Sequence, residues 1–252
     1  MKTLKIIDLF CGTGAFSKGF ENCALASFQT VLGVDVLPMS VETFRHNHPR
    51  ATGLLQDIRT IKREGIMELL GLQRGDVDLI VGGPPCQGFS SIRPFRSDGE
   101  DDERNSLFEN YARFVHWFRP RMFVLENVVG LATYQDGATL AAMLECFQGL
   151  GYECDWRILN AAHYGIPQKR ERLILIGAEK GGQVVFPKPT HACDADTIGF
   201  RDKSRMLRPA DEPLLMRTKP LPRALGVMDA IGDLPPIANG ESASEYDRPH
   251  SN

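Results

Sequence analysis

The sequence lacks a long hydrophobic run. Its longest apolar stretches, such as residues 122–125 and 173–176, are far shorter than the roughly 20 residues that span a bilayer. The amino terminus reaches an acid, Asp8, after two apolar residues and shows no apolar block typical of a signal peptide. The sequence therefore predicts a protein without a membrane span and with a cytoplasmic location.

Closely paired cysteines are also missing. No two cysteines form a Cys-x-x-Cys pair, so neither a zinc ribbon nor a redox dithiol is predicted, and we expect no metal site. We expect all six cysteines to be reduced thiols, namely Cys11, Cys23, Cys86, Cys146, Cys154 and Cys193.

A large excess of charge of one sign is absent as well. The formal net charge is −3, which gives no general attraction to a polyanion, so a nucleic acid would have to be held by local basic patches. Between Gly165 and Arg223, twelve basic residues stand against seven acids. This stretch is either a face that follows phosphates or a solvated loop surface, and both interpretations stay open.

The composition that is present is that of a globular protein. With 252 residues, of which 42% are hydrophobic and 24% charged, the chain predicts one large domain, or one domain plus a fragment. Its composition is unlike that of collagen-like, disordered or disulfide-scaffold proteins. Residues 178–252 hold nine of the sixteen prolines, which indicates a loop-rich region. We therefore expect a regular domain over 1–178 and a loop-rich extension over 179–252.

Short apolar runs alternate with longer amphipathic segments along the first part of the chain, as in a parallel sheet with crossover helices. The predicted strands are Leu4–Phe10, Thr30–Val36, Val77–Val81, Met122–Glu126, Cys154–Leu159 and Arg172–Gly177. The predicted helices are Thr13–Ala26, Pro38–Asn47, Thr60–Leu70, Ser106–Phe118 and Gly137–Leu150. The pattern predicts an α/β fold with a mostly parallel, doubly wound sheet, whose ligands bind at the carboxyl ends of the strands.

Two glycines, Gly12 and Gly14, lie where the first strand turns into a helix, and glycine there lets a ligand approach the backbone closely. A dinucleotide fingerprint would have its third glycine at Ser17, so NAD is disfavoured. Asp35, at the end of the second strand, suits ribose hydroxyls. With Asp8 it would form an acidic pocket suited to the sulfonium and amino groups of S-adenosylmethionine. The alternative is a turn that serves packing alone.

The third predicted strand runs into Gly82-Gly83-Pro84-Pro85-Cys86. Two prolines fix φ and remove backbone donors, so the cysteine after them is aimed by covalent geometry, while flanking glycines let the following loop move. This setting favours Cys86 as a nucleophile. The alternative, a small apolar cysteine packed under a loop, fits Cys11 and Cys146 better.

Glu126 ends the next apolar strand. If that strand lies beside the one leading to Cys86, a spacing of about 4.8 Å brings the carboxyl and the thiol to one crevice. A carboxyl beside a thiol is a plausible pair of acid and nucleophile. Equally, Glu126 caps the helix that begins near Asp136 or pairs with an arginine, and the residues alone leave these alternatives open.

A third cluster of polar residues precedes the last predicted strand. In an extended segment side chains alternate, so Gln168, Arg170 and Arg172 are expected on one face. Two guanidinium groups and an amide on one face form a binding surface for carboxylate, phosphate or base oxygens. An Arg-x-Arg on a solvated edge strand is the alternative.

Together these motifs resemble the cytosine-5 DNA methyltransferases. The resemblance rests on residues 8–14, 82–90, 126–128 and 168–172, in this order and at a similar spacing. It implies a Rossmann-like, S-adenosylmethionine-dependent methyltransferase fold, with 1–178 as the catalytic and cofactor-binding domain. The residues that would line the cofactor pocket by this resemblance are Phe10, Gly12, Gly14, Asp35, Asp57, Ile58, Pro85 and Leu107.

The resemblance also implies a catalytic mechanism. The thiolate of Cys86 would add to C6 of a cytosine swung out of double-stranded DNA, and C5 would then take the methyl group. Glu126 would contact N3 and the exocyclic amine, Arg172 would hold O2, and Arg170 would orient the site. Restriction-modification is the expected context.

The chain departs from the family pattern after residues 229–235, because the target-recognition region and the final helix of the family are missing. We expect either one half of a split enzyme, with a second polypeptide carrying the rest, or a shortened form, and weak or no methylation by this chain alone. A tRNA cytosine-5 methyltransferase and a catalytically idle binding subunit are the rival interpretations, with a nicotinamide oxidoreductase already disfavoured.

Overall fold

A computed structural model describes residues 2–85, 107–193, 203–206 and 220–244. The strands are β1 (Leu4–Leu9), β2 (Phe28–Asp35), β3 (Thr52–Leu55), β4 (Leu79–Gly82), β5 (Met122–Asn127), β6 (Tyr152–Asn160) and β7 (Glu171–Glu179). The α-helices are α1 (Ala15–Glu21), α2 (Pro38–Asn47), α3 (Arg63–Leu70), α4 (Leu107–Phe118), α5 (Ala138–Gly149) and α6 (Val227–Ile231). Helices thus follow most strands, and the α/β fold class predicted from the sequence is confirmed.

The seven strands form one sheet in the order β3-β2-β1-β4-β5-β7-β6. The pairs β1–β2, β1–β4, β2–β3 and β4–β5 are parallel, and β7 runs antiparallel to β5. The strand order reverses between β1 and β4, because the chain first builds outward through β2 and β3 and then returns to the other side of β1. The carboxyl ends of β1 and β4 therefore flank the crevice where such sheets bind ligands.

The core around this crevice is aromatic. The ring of Phe123 on β5 lies 4.1 Å from that of Phe147 on α5, measured between centroids. The buried hydroxyl of Tyr111 on α4 donates toward the carbonyl oxygens of Ile80 and Val124, both 3.1 Å away. Because one tyrosine joins α4 to β4 and β5, it helps to fix the positions of these two strands relative to each other.

The described chain forms two compact units. The first contains residues 1–156 and 173–185, and the second contains residues 157–172 and 186–252. Within the second unit, Tyr164 donates a hydrogen bond to the Pro187 carbonyl oxygen at 2.9 Å, and Arg223 forms an ion pair with Asp229 at 2.7 Å. The boundary expected at residue 178 differs from the boundaries of these units, because 157–172 belong to the second unit and 179–185 to the first. As a division into functional domains, it stays a prediction.

Several predicted boundaries were wrong for local reasons. The helix expected over Thr13–Ala26 begins only at Ala15, because Gly14 has a left-handed φ of 79°. The helix expected from Thr60 begins at Arg63, after a 3₁₀ turn over Ile58–Thr60. Strand β3 was missed because its four residues are too few to show a period. No helix in the described part of the chain is long and apolar enough to cross a membrane.

Candidate active site

The glycine turn follows β1 at the reversal point of the sheet. Phe10 and Gly12 have positive φ values of 58° and 52°, and the amide of Gly14 donates to the Cys11 carbonyl oxygen at 2.8 Å. A β-carbon built on Gly12 would meet no heavy atom of the described residues within 4 Å. The turn is therefore tight and leaves open space beside Gly12, as expected for a backbone that a ligand approaches.

Asp35 joins this turn to the end of β2. Its carboxylate accepts hydrogen bonds from the amides of Gly12 and Leu37, each at 2.9 Å. Each carboxylate oxygen can accept more than one hydrogen bond, and Asp35 is only half-buried. Asp35 therefore fixes the turn and retains acceptor capacity for a hydroxyl group, and its role at ribose hydroxyls stays a prediction.

Asp57, after β3, caps the 3₁₀ turn and faces an arginine. Its carboxylate accepts from the Arg59 amide at 2.9 Å and from the Arg59 Nη2 at 2.5 Å. Hydrogen bonding by the Arg59 side chain, opposed by partial burial, lowers the pKa of Asp57. The neighbouring Ile58 is buried, and Leu107 is half-buried at the start of α4.

Asp8 does not contribute to an acidic pocket, contrary to the sequence-based expectation. Its side chain is buried, with 1% exposed, and it accepts a hydrogen bond from the Ser17 hydroxyl at 2.6 Å. Burial raises the pKa of Asp8 to about 7, although the Ser17 hydrogen bonds oppose this shift. A strand-end acid was wrongly placed at the surface because the pattern of residue types does not reveal which side of the turn faces the core.

We expect the buried Asp8 to make stability depend on pH. The folded state keeps its proton up to about pH 7, while an unfolded aspartate loses it near 3.8, so the free energy of unfolding should fall as pH rises between these values. The slope from this group approaches about 1.4 kcal/mol per pH unit. In urea titrations from pH 4 to 8, Asp8→Asn should lose this part of the slope.

Asp136→Asn, which changes an exposed carboxyl in a left-handed position that asparagine tolerates, is the control and should keep the wild-type slope. Equal slopes for the wild type and Asp8→Asn would contradict a raised pKa at Asp8.

The second half of the site lies at the carboxyl ends of β4 and β5. These strands are parallel neighbours, with Gly82 opposite Leu125, as the pairing of a nucleophile and an acid requires. A β-carbon placed on Gly83 would lie 2.9 Å from Glu126 Oε2. The Glu126 carboxyl therefore packs on the segment that leads to Cys86, which favours the acid-and-nucleophile interpretation over a helix cap at Asp136.

Asn127 lies in the 126–128 motif without a predicted role of its own, and it anchors this segment. Its Nδ2 donates to the Pro84 carbonyl oxygen at 2.9 Å, and its Oδ1 accepts from the Val128 amide at 2.8 Å. Proline cannot donate a backbone hydrogen bond, so the carbonyl is the group by which Pro84 can be held. The buried Asn127 thus ties the arm of Gly83 and Pro84 to β5.

Cys86 lies outside the described residues. It follows Pro85, which is exposed at the end of the described segment. The role of Cys86 therefore stays a prediction. Among the cysteines that the structure describes, burial raises the pKa of Cys146 to about 11 and that of Cys154 to about 12, which makes both poor nucleophiles.

Arg170 and Arg172 belong to the second compact unit. The expected alternation is wrong at this point, because Gln168, Lys169 and Arg170 are all exposed and β7 begins only at Glu171. A period of two applies within a strand and not in the turn before it. Arg172 is half-buried and donates from Nη1 to the Glu171 carbonyl oxygen at 2.7 Å.

The structure therefore brings together two groups of predicted residues within the first unit. Phe10, Gly12, Gly14 and Asp35 lie around the ends of β1 and β2, and Pro85 and Glu126 lie around the ends of β4 and β5. Among the described residues, no group of three or more histidine, cysteine or acidic side chains is placed to hold a metal ion.

Comparison with known proteins places these motifs in a family. The pattern of the family described as C-5 cytosine-specific DNA methylase matches residues 4–211. Type II methyltransferase M.AgeI of Thalassovita gelatinovora is 40% identical over 92% of this chain and 51% of its own length. The DNA (cytosine-5)-methyltransferase 1 of Mus musculus is 32% identical over 96% of this chain and 15% of its own. The chain spans about half the length of the bacterial relatives it matches.

Solved structures agree with the fold. The crystal structure of a protein from an E. coli prophage, assigned as a DNA modification methyltransferase, has a TM-score of 0.67 and 26% identity, covering 98% of this chain and 62% of that one. The Dnmt2 methyltransferase of S. pombe has a TM-score of 0.55 over 73% of this chain and 52% of that one. At 22% identity, this second likeness concerns the fold alone.

Proposed function

The chain belongs to the C-5 cytosine-specific DNA methylase family, and from this premise we propose that it transfers the methyl group of S-adenosylmethionine to C5 of cytosine in DNA. The observation that carries the proposal is the packing of Glu126 on Gly83. A β-carbon added to this glycine would lie only 2.9 Å from Glu126 Oε2. This packing supports an acid held against the arm that leads to Cys86. Membership of the family alone would also suit an inactive relative. A carboxyl held beside the segment that leads to Cys86 is the arrangement that acid catalysis needs.

The residues around the glycine turn fit S-adenosylmethionine. Asp35 offers carboxylate oxygens to hydroxyl groups, and the space beside Gly12 admits a ligand against the backbone. Residues 8–17 contain no lysine or arginine, which suits a cofactor with a positive sulfonium better than one with a pyrophosphate. When bound, the cofactor supplies an electrophilic methyl group. Phe10, Asp57, Ile58, Pro85 and Leu107 are proposed to complete this pocket.

The proposed chemistry begins with Cys86. Its thiolate forms a bond from Sγ to C6 of cytosine, which makes C5 nucleophilic enough to take the methyl group and leaves S-adenosylhomocysteine. Water takes the C5 proton, and breakage of the bond between Sγ and C6 then restores the ring and the thiolate. Glu126 donates a proton at N3 during addition, which stabilises the charge that develops on the ring, and takes the proton back when the ring is restored.

The proposed substrate is double-stranded DNA with the target cytosine turned out of the stack, because C6 is inaccessible in a stacked duplex. Arg172 is proposed to hold O2 of the base, with Arg170 beside it. Guanidinium groups remain charged at all relevant pH values and suit oxygen acceptors. Bacterial relatives named type II methyltransferases support a role in restriction-modification.

The test combines cofactor binding with identification of the product. In calorimetric titrations of this polypeptide, we expect S-adenosylhomocysteine to bind and NAD to give no signal. With S-adenosylmethionine carrying a labelled methyl group, and with any second polypeptide that completes the enzyme supplied, the label should appear in 5-methylcytosine of duplex DNA. Preferential binding of NAD would overturn the proposal, label only in tRNA would favour the tRNA enzyme, and cofactor binding with no label in either nucleic acid would favour a binding subunit.

A further inference from the structure

A buried polar network lies beneath the glycine turn and is not used by the chemistry above. Its members are Asp8 on β1, Ser17 and Glu21 on α1, and His48 at the end of α2. His48 has 2% of its surface exposed, and Ser17 has none. A buried imidazole needs polar partners, so the atoms that it contacts indicate its role.

His48 contacts the turn directly. Its Nε2 lies 2.9 Å from the Gly14 carbonyl oxygen and 3.3 Å from the Ser17 hydroxyl, which in turn lies 2.6 Å from Asp8 Oδ2. A carbonyl oxygen can only accept a hydrogen bond, so Nε2 is the donor to Gly14. Its Nδ1 lies 3.2 Å from Glu21 Oε2. Nδ1 makes no hydrogen bond within the described part of the chain, so the hydrogen bond that orients the ring is the one from Nε2 to the turn.

The packing leaves the ring little freedom to move. His48 stacks on Phe44, with 4.7 Å between ring centroids and 26° between ring planes. A β-carbon built on Gly14 would lie 2.5 Å from His48 Nε2 and 2.7 Å from Phe44. The turn thus rests directly on two rings, and its glycine at φ 79° is required both by the backbone and by the space available.

Asn47, the residue before His48, makes a second contact with the glycine turn. Asn47 Nδ2 donates to the Thr13 carbonyl oxygen at 2.9 Å. Two consecutive residues of the α2 end therefore hold two consecutive carbonyls of the turn, those of Thr13 and Gly14. Fixing both carbonyls fixes the peptide planes of the turn, because each peptide unit is planar.

We propose that His48, assisted by Asn47, is a positioning residue for cofactor binding, which holds the glycine turn in its binding conformation through the Gly14 carbonyl. This inference rests on the proposed function, in which the turn receives S-adenosylmethionine. Both residues act through the backbone carbonyls of the turn. Pre-organisation of a turn increases affinity because the cost of ordering it is not incurred again on binding.

The test measures the affinity for S-adenosylhomocysteine by calorimetry. In His48→Leu, the Kd should rise about tenfold, which corresponds to roughly 1.4 kcal/mol. In His48→Gln, whose side-chain amide can still donate to Gly14, the Kd should stay within about threefold of the wild type. In methylation assays, the loss should appear in KM for S-adenosylmethionine, with kcat retained.

Tyr152→Phe is the matched control for stability. The Tyr152 hydroxyl donates to the Pro120 carbonyl oxygen at 2.7 Å in the buried core, so its removal lowers the melting temperature without touching the turn. We expect this variant to bind S-adenosylhomocysteine as tightly as the wild type does. A folded His48→Leu with wild-type affinity, or a His48→Gln as weak as His48→Leu, would overturn the inference.

If His48→Leu does not fold, Asn47→Ala takes its place, because the Asn47 side chain is not in the core. Its Kd should rise by about threefold, the effect of one weak exposed hydrogen bond, and an unchanged Kd would refute the inference. A wild-type chain that does not bind S-adenosylhomocysteine would instead refute the proposed function, so the two failures are distinguishable.

Discussion

Cys86→Ala is expected to abolish covalent trapping on DNA that contains 5-fluorocytosine. Fluorine at C5 cannot leave as a proton does, so the bond between Sγ and C6 formed in the first step persists after methyl transfer. The wild type, supplied with any second polypeptide that methylation requires, should therefore accumulate an adduct that survives denaturing electrophoresis. Alanine has no nucleophilic atom, so the variant should give no adduct at any enzyme concentration.

The control for this experiment is Cys146→Ala. Burial raises the pKa of Cys146 to about 11, so its thiol is almost entirely protonated at neutral pH and should contribute no adduct. We expect Cys146→Ala to trap DNA as the wild type does. A preparation that methylates ordinary cytosine but forms no adduct on fluorocytosine would remove Cys86 from its assigned role, as would an adduct that persists in Cys86→Ala.

Glu126→Gln is expected to lower kcat by about 10²- to 10⁴-fold, the usual contribution of a positioned general acid. The amide keeps the volume of the side chain and can still donate a hydrogen bond, but it cannot transfer a proton to N3. Because the Glu126 carboxyl lies against Gly83 and not at the glycine turn, the affinity for S-adenosylhomocysteine should be unchanged. Single-turnover methylation and calorimetry measure the two quantities separately.

Glu145→Gln is the control for loss of a carboxylate. Glu145 is exposed on α5, and its substitution should leave both rate and affinity at wild-type values. If Glu126→Gln retained the full rate, the carboxyl would have only a packing role beside Gly83. If Glu126→Gln lost cofactor affinity in parallel with rate, its effect would come from a general change in the site.

Much of the fold was predictable from residue patterns. Helix α2 begins at Pro38 and ends at Asn47 as predicted, because proline at the first helical position and an amphipathic period are both local signals. The core strands were also found from a local signal, since buried strands are continuous apolar runs. Boundaries were wrong where backbone conformation decided them, as at Gly14, whose positive φ delays the start of α1.

The candidate site was predictable only in part. Glu126 and the arm before Cys86 stood out because a polar residue after an apolar run is conspicuous. Asn127 did not, although it holds Pro84, because the two are 43 residues apart in the chain. A buried hydrogen bond between distant residues has no periodic signature.

From the sequence alone follow the α/β class, the alternation of strands and helices, and the residue types available at each strand end. These follow from local properties, namely side-chain periodicity, proline and glycine geometry, and runs of apolar residues. Three features became visible in the folded chain: Asp8 faces the core, Glu126 packs on Gly83, and His48 supports Gly14. Such contacts depend on which distant segments meet, and burial then sets the charge and the hydrogen-bond partners of each group.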